Sequence, residues 1–161
     1  WSVVPSPAPA HFPHSGAELD GVTCVSATDC LAVGWYQFSR SSSRELPLSV
    51  RWNGSAWSQV GAPRPATRSG FESVSCPAAA CVAVGNDVTS GSPVISLAEG
   101  WSGTKWTVQP TPNPAGADFT FLHGVSCISG SNCWAAGEWG SPTGPRTLIE
   151  HWNGSAWSIA A

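Results

Sequence analysis

Apolar and polar residues alternate along this chain in short runs, not at helical spacing. Leu48, Val50 and Trp52 occupy every second position, with Ser49 and Arg51 between them. A period of two places each set on one face of a strand. The run Cys30-Leu31-Ala32-Val33-Gly34 is almost continuously apolar, which predicts a strand buried on both faces. The same succession returns three times. The predicted strands of the first repeat (19–60) are Leu19–Cys24, Cys30–Gly34, Leu48–Trp52 and Trp57–Val60. Those of the second (71–109) are Phe71–Cys76, Cys81–Gly85, Val94–Trp101 and Trp106–Gln109. Those of the third (121–161) are Phe121–Cys127, Cys133–Gly137, Thr147–Trp152 and Trp157–Ile159. Asn53-Gly54 and Asn153-Gly154 predict tight hairpin turns, since both residues tolerate positive φ. Residues 1–9 read as one more strand, because Trp1-Ser2-Val3-Val4 matches Trp57-Ser58-Gln59-Val60.

Four short antiparallel strands in series form a meander, and a lone meander of this size cannot cover both its faces. It must stack on its neighbours. The fold class expected is therefore all-β: three four-stranded β-propeller blades, with the amino-terminal strand completing a blade. A β-trefoil is the alternative, having threefold repetition at similar length. Three blades are fewer than the four to eight of a closed ring. The expectation is a part of a longer chain, or a homo-oligomer in which copies complete the circle.

Composition sharpens this picture. Charged residues are 11% and the net charge is −3, which gives no long-range attraction for nucleic acid or an anionic surface. No apolar run is long enough to span a bilayer as a helix. Methionine is absent, so a processed chain or an excised piece is expected. Six cysteines fall as close pairs in step with the repeats. Zinc sites use tighter spacings with further ligands, so the pairs read as local disulfides Cys24–Cys30, Cys76–Cys81 and Cys127–Cys133. Such bonds persist in oxidising compartments, which predicts a secreted protein.

The unit Val-Ser/Thr-Cys, loop, Cys-x-Ala-Val/Ala-Gly, loop, Trp-x-Gly-x-x-Trp resembles the blades of secreted actinobacterial repeat proteins. Its second half is similar to the Asp-box repeat of sialidase-like propellers. The resemblance covers essentially the whole chain and recurs three times. It departs at the turn, where Asn53, Ser102 and Asn153 stand in place of the Asp-box aspartate. A bacterial source, as the resemblance implies, makes the Asn-Gly-Ser glycosylation sequons at Asn53 and Asn153 coincident with the turn.

Candidate chemistry is sparse. Seven of the ten tryptophans (Trp1, Trp52, Trp57, Trp101, Trp106, Trp152 and Trp157) occupy repeated positions and are expected to pack between blades or over the hairpin. Trp35, Trp134 and Trp139 have no counterpart in every repeat, and with Glu138 they are the candidate ligand-binding residues. Flat indoles bind the apolar faces of sugars and anchor protein interfaces. Glu99 and Glu150 are expected at a solvated edge or bonded to turn amides. Glu150 and His151, as strand neighbours, must face opposite ways. His11 and His14 are spaced to chelate, but two ligands in one loop do not make a metal site. No phosphate loop, nucleophile elbow or His-Glu-x-x-His pattern is present. No catalytic residue, metal or cofactor is therefore assigned. A hydrolase would need Asp20, Glu72 and Glu138 to converge in pairs. The expectation is a secreted, non-enzymatic binding module with a glycan as partner. The alternative is a protein ligand, as in an extracellular scaffold or targeting module.

Overall fold

A computed structural model of the chain describes residues 2–7, 16–37, 44–63 and 66–160. Among these, twelve strands form three separate four-stranded antiparallel sheets with no helix. The first sheet is β1 (Ala17–Ser26), β2 (Asp29–Gln37), β3 (Glu45–Trp52) and β4 (Trp57–Val60). The second is β5 (Arg68–Ser75), β6 (Cys81–Val88), β7 (Ile95–Trp101) and β8 (Trp106–Val108). The third is β9 (Thr120–Ser129), β10 (Asn132–Ser141), β11 (Gly144–Trp152) and β12 (Trp157–Ile159). In each, spatial order follows chain order. Each strand predicted within the three repeats is present, and most run longer than their apolar stretch. The ladder uses backbone groups and continues through polar residues: Asn86 and Asp87 stay paired with Ser96 and Ile95.

The amino-terminal expectation needs correction. Residues 2–7 belong to no strand and residues 2–6 are exposed; Trp1 and residues 8–9 lie outside the described residues. Each sheet already draws four strands from contiguous chain, and Pro5 and Pro7 have no N–H to donate.

The sheets stack in sequence. We call the face of each sheet toward the next one its forward face and the opposite face its rear face. Leu31 and Val33, on the forward face of the first sheet, pack with Phe71, Ala83, Leu97 and Trp106 of the second. Val82, Val84 and Ala98 repeat the arrangement against Leu122, Ala135, Leu148 and Trp157 of the third. Alternation explains the continuous apolar runs, because odd and even residues face different neighbours. The first strands of the sheets (β1, β5 and β9), which we call the inner strands, are also tied directly. The backbone N–H groups of Val125 and Cys127 donate to Ser73 Oγ and Ser75 Oγ, at 3.3 and 3.0 Å. The inner strand of the first sheet has no preceding sheet, and Val22 is 65% exposed where its counterpart Val74 is 7% exposed.

Each inner strand carries a β-bulge at the same place, skipping Asp20, Glu72 or His123 in the pairing register. The bulge pushes one carbonyl over the facing strand. A Cβ on Gly34, Gly85 or Gly137 would collide with the carbonyl oxygen of Glu18, Gly70 or Phe121 respectively. The glycine of Cys-x-Ala-x-Gly is thus fixed by close backbone approach. Gly85→Ala is expected to destabilise the fold by about 3 kcal/mol, the upper end for overpacking, since backbone cannot step aside. Urea unfolding of the variant beside Ile95→Ala, at an exposed strand position, measures it; equal midpoints would refute the bulge argument.

The Trp-x-Gly-x-x-Trp turns differ from the expected two-residue hairpin. Trp52 pairs with Trp57 across a four-residue loop. Asn53 Oδ1 accepts from the N–H of Ser55 and of Ala56 at 3.0 and 2.9 Å, and only Gly54 takes positive φ (94°). Asn153 repeats this, while at Ser102 the hydroxyl accepts the Lys105 N–H. A short side-chain acceptor closing the loop is what the position requires. Three disulfides, Cys24–Cys30, Cys76–Cys81 and Cys127–Cys133, staple the first hairpin of each sheet. They call for an oxidising environment. Trp52 and Trp152 each donate an indole N–H to a carbonyl in that hairpin, Ala27 O and Gly130 O, both at 3.2 Å.

Candidate functional site

The hairpin turns and disulfides lie at one end of the sheets, and the β2–β3 and inter-repeat connections lie at the other. At the latter end a cleft of about 400 Å³ opens where the three sheets meet. Its aromatic wall is Trp35, projecting from the forward face of β2 and packed beside Gly70; a Cβ there would lie 3.2 Å from Trp35 Cβ. Arg68 and Glu45 form an ion pair on the rim, Nη2 to Oε2 at 2.8 Å with Nε at 3.2 Å. Both side chains stay partly exposed, so the pair adds little stability. It does hold a planar donor and an acceptor beside the indole. Asn86, Glu72 and Phe121 also line it. Behind them Ser69 Oγ donates to Asp87 Oδ1 at 2.6 Å. Burial raises the Asp87 carboxyl above its ordinary range, opposed by that hydrogen bond and one from the Val88 N–H.

Of the four residues singled out from sequence, only Trp35 enters this cleft. Trp134 stands on the forward face of the third sheet, 48% exposed, with its ring 4.3 Å from that of His151. Glu138 shares that face, its Oε1 lying 3.8 Å from His123 Nε2. Trp139 points the other way, as strand alternation requires, and packs against the core between the second and third sheets. The Arg146 guanidinium lies 5.8 Å above its ring. Trp35, Trp134, Trp139 and Glu138 therefore do not form one site.

The repeated tryptophans fill structural positions. Trp106 and Trp157 are buried, and each sends its indole N–H into the preceding sheet: Trp106 to Ser49 Oγ at 3.0 Å, Trp157 to Gln109 Oε1 at 3.1 Å. The expectation for Glu99 and Glu150 is overturned. Both are fully buried on rear faces, between sheets, and among the described residues their carboxylate oxygens have no hydrogen-bond partner. They follow the pleat inward at the position where the first repeat has Val50. Burial, with Asp87 adding to it, pushes the Glu99 carboxyl up to about 8, and burial alone pushes Glu150 up to about 7. His151 faces away from Glu150, onto the open side, where its Nε2 meets Asn132 Oδ1 at 3.0 Å.

Among the carboxylates named for hydrolysis, Asp20 and Glu72 occupy equivalent bulges. The Asp20 carboxyl is raised by desolvation and then by the charges of Glu18 and Glu72. Glu138 sits instead with His123 on the third sheet. Among the described residues no group of three or more His, Cys, Asp or Glu is placed to hold a metal ion; His11 and His14 lie outside the described residues.

Sequence reasoning missed Arg68, Glu45 and Asn86. A signal existed: Arg68 aligns with Gly16 and Phe119, and Glu45 with Val94 and Pro145, so both break the repeat. Their meeting with Trp35 needs the stacking of two sheets.

No family model matches the chain, and no curated protein matches it. Among solved structures it is similar to a fucose lectin from Kordia zhangzhouensis in complex with methyl-fucoside. The TM-score is 0.50 and the identity 13%, over 88% of this chain and 96% of that one. At that identity the likeness concerns the fold.

Proposed function

We propose that the chain is a lectin-like carbohydrate-binding module, with Trp35 as the platform of its sugar site. It is built from three blades of a β-propeller of the secreted actinobacterial repeat type and acts outside the cell. The observation that carries this reading is the indole of Trp35 in a cleft beside the Arg68–Glu45 pair. An aromatic face takes the C–H side of a sugar ring, while a guanidinium and a carboxylate hold vicinal hydroxyls by charge-assisted hydrogen bonds. The cleft volume falls within the range of small-molecule sites. The three disulfides fit an extracellular setting, and the fold likeness to a lectin agrees with the reading.

The test is calorimetric titration against a panel of monosaccharides and methyl glycosides, methyl-fucoside included, followed by a glycan array. Trp35→Ala should weaken binding by about 30-fold, equivalent to roughly 2 kcal/mol of lost aromatic contact. Trp134→Ala, on the far face, should leave it unchanged. Affinity retained in Trp35→Ala would remove Trp35 from the site. Silence across the panel would favour the second reading, a protein partner on the forward face of the third sheet, where Trp134 and Ile149 are exposed. In the propeller reading a further blade stacks there, from a second copy or a longer chain. Sedimentation velocity tells whether copies associate.

A further inference from the structure

The space between adjacent sheets at their hairpin end is filled in one interface and open in the next. Between the first and second sheets, Arg51 lies in it. Its Nε and Nη2 donate to the Asp29 carboxylate at 2.8 and 2.9 Å, and its Nη1 donates to Gly103 O at 3.2 Å. The remaining volume is about 10 Å³. Between the second and third sheets, the residues equivalent to Arg51 and Asp29 are Gly100 and Ala80. With both side chains absent, a cleft of about 570 Å³ runs between the sheets.

We propose that this hairpin-end cleft is a binding site for an uncharged, planar aromatic molecule of two or three rings. Its walls include the Trp152 indole, Pro77, Pro110 and the Cys127–Cys133 disulfide, and none of its lining residues is charged. The polar groups that border it are largely engaged within the chain. Gln109 Oε1 accepts the Trp157 indole N–H at 3.1 Å. Ser155 Oγ donates to Asn153 Oδ1 at 2.8 Å. Ser102 Oγ is bonded to the Lys105 backbone. A polyol would lose its hydration here without equivalent partners, and a charged ligand would meet no counter-ion. A flat apolar molecule meets the Trp152 indole from the third sheet and the Pro77 and Pro110 rings from the second, and needs no hydrogen bond. The volume suits fused or linked rings. The site is separate from the Trp35 cleft, at the opposite end of the strands, and does not depend on the glycan reading.

The first repeat supplies the means to close it. Gly100→Arg with Ala80→Asp restores the Arg51–Asp29 pair in the second interface. A Cβ at Gly100 would meet only the flexible end of Gln109, which can shift by giving up the Trp157 N–H that it accepts. The probe is N-phenylnaphthylamine, neutral and fluorescent in apolar surroundings, with its sulfonated analogue anilinonaphthalene sulfonate as the charged match. The expected result is one neutral probe per chain, and binding at least about tenfold weaker both for the sulfonated probe and in the double variant. Should the double variant melt well below the parent, Ala80→Trp, which adds an indole from an exposed hairpin position, replaces it. Undiminished probe binding in a folded, plugged variant, a preference for the sulfonated probe, or no binding by the parent would each overturn the proposal.

Discussion

Raising the pH from about 5 to about 8.5 should remove roughly 4 kcal/mol of stability through Glu99 and a further 3 or so through Glu150, at about 1.36 kcal/mol for each tenfold gain in proton affinity on folding. Below the ordinary glutamate value of 4.5, the folded and unfolded chains both hold these protons, so stability is insensitive to pH there. Between 4.5 and about 8 the unfolded chain has released the Glu99 proton while the folded chain still keeps it. For Glu150 the window runs from 4.5 to about 7. The unfolded state then binds fewer protons, and stability falls as pH rises. Asp87, also raised by burial, acts in the same direction. Asp29, lowered chiefly by its hydrogen bond to Arg51, acts in the opposite direction at acid pH, and its exposure keeps that contribution small. Both glutamates lie between sheets, so an ionised carboxylate would be felt as repulsion from the interface itself. Urea unfolding at pH 5 and 8.5 measures the slope. Glu99→Gln should flatten it by more than half, and Glu99→Val, the residue the first repeat places there, should do so while improving stability at pH 8.5. Parallel pH profiles for the parent and the Glu99→Gln, Glu150→Gln pair would show that neither carboxyl is held neutral.

Those glutamates also mark where reading the sequence stops. A period-two pattern places Glu99 and Glu150 on a definite face of a strand, but which face has a neighbour depends on how sheets stack. An acidic side chain two residues before a tryptophan at a strand end reads as an edge residue. The repeat alignment carries the contrary hint, since the equivalent residue is Val50. The strands themselves are legible because each depends on local pattern: alternation, a cysteine pair closing a hairpin, and Gly54 or Gly154 in a loop. The bulges at Asp20, Glu72 and His123 are not, although Gly34, Gly85 and Gly137 record them. A glycine kept in every repeat signals close backbone approach, and the sequence does not say by which carbonyl. The candidate site is legible only at Trp35. Its partners Arg68 and Glu45 come from different sheets, and their pairing is a product of stacking. Trp134 and Trp139 break the repeat as Trp35 does, yet one stands on an open face and the other fills an interface.

The same stacking makes one repeated position unequal in energy. Trp106→Ala should cost about 4 kcal/mol, the cost of deleting a large buried aromatic. The Trp106 ring is 2% exposed, stacks on Phe71 with centroids 5.4 Å apart and leans on Trp101 at the same distance. Its indole N–H donates to Ser49 Oγ, which in turn donates to Val60 O at 2.9 Å. Truncation opens a cavity between two sheets and breaks a hydrogen bond of a fully buried serine. Trp57 occupies the identical place in the first repeat, where no sheet precedes it, and is only half-buried. Its indole has no preceding sheet to enter, so Trp57→Ala should cost less than half as much. Trp157→Ala, buried and bonded to Gln109, should resemble Trp106→Ala. The three variants unfolded side by side in urea thus separate two ideas. If the tryptophans serve only their own hairpins, through the pairs Trp52–Trp57, Trp101–Trp106 and Trp152–Trp157, with centroids at 5.7, 5.4 and 5.8 Å, all three losses should be alike. If they join sheet to sheet, as the Ser49 and Gln109 contacts imply, the loss at Trp57 should stand apart from the other two. It should approach theirs only when another sheet stacks behind the first.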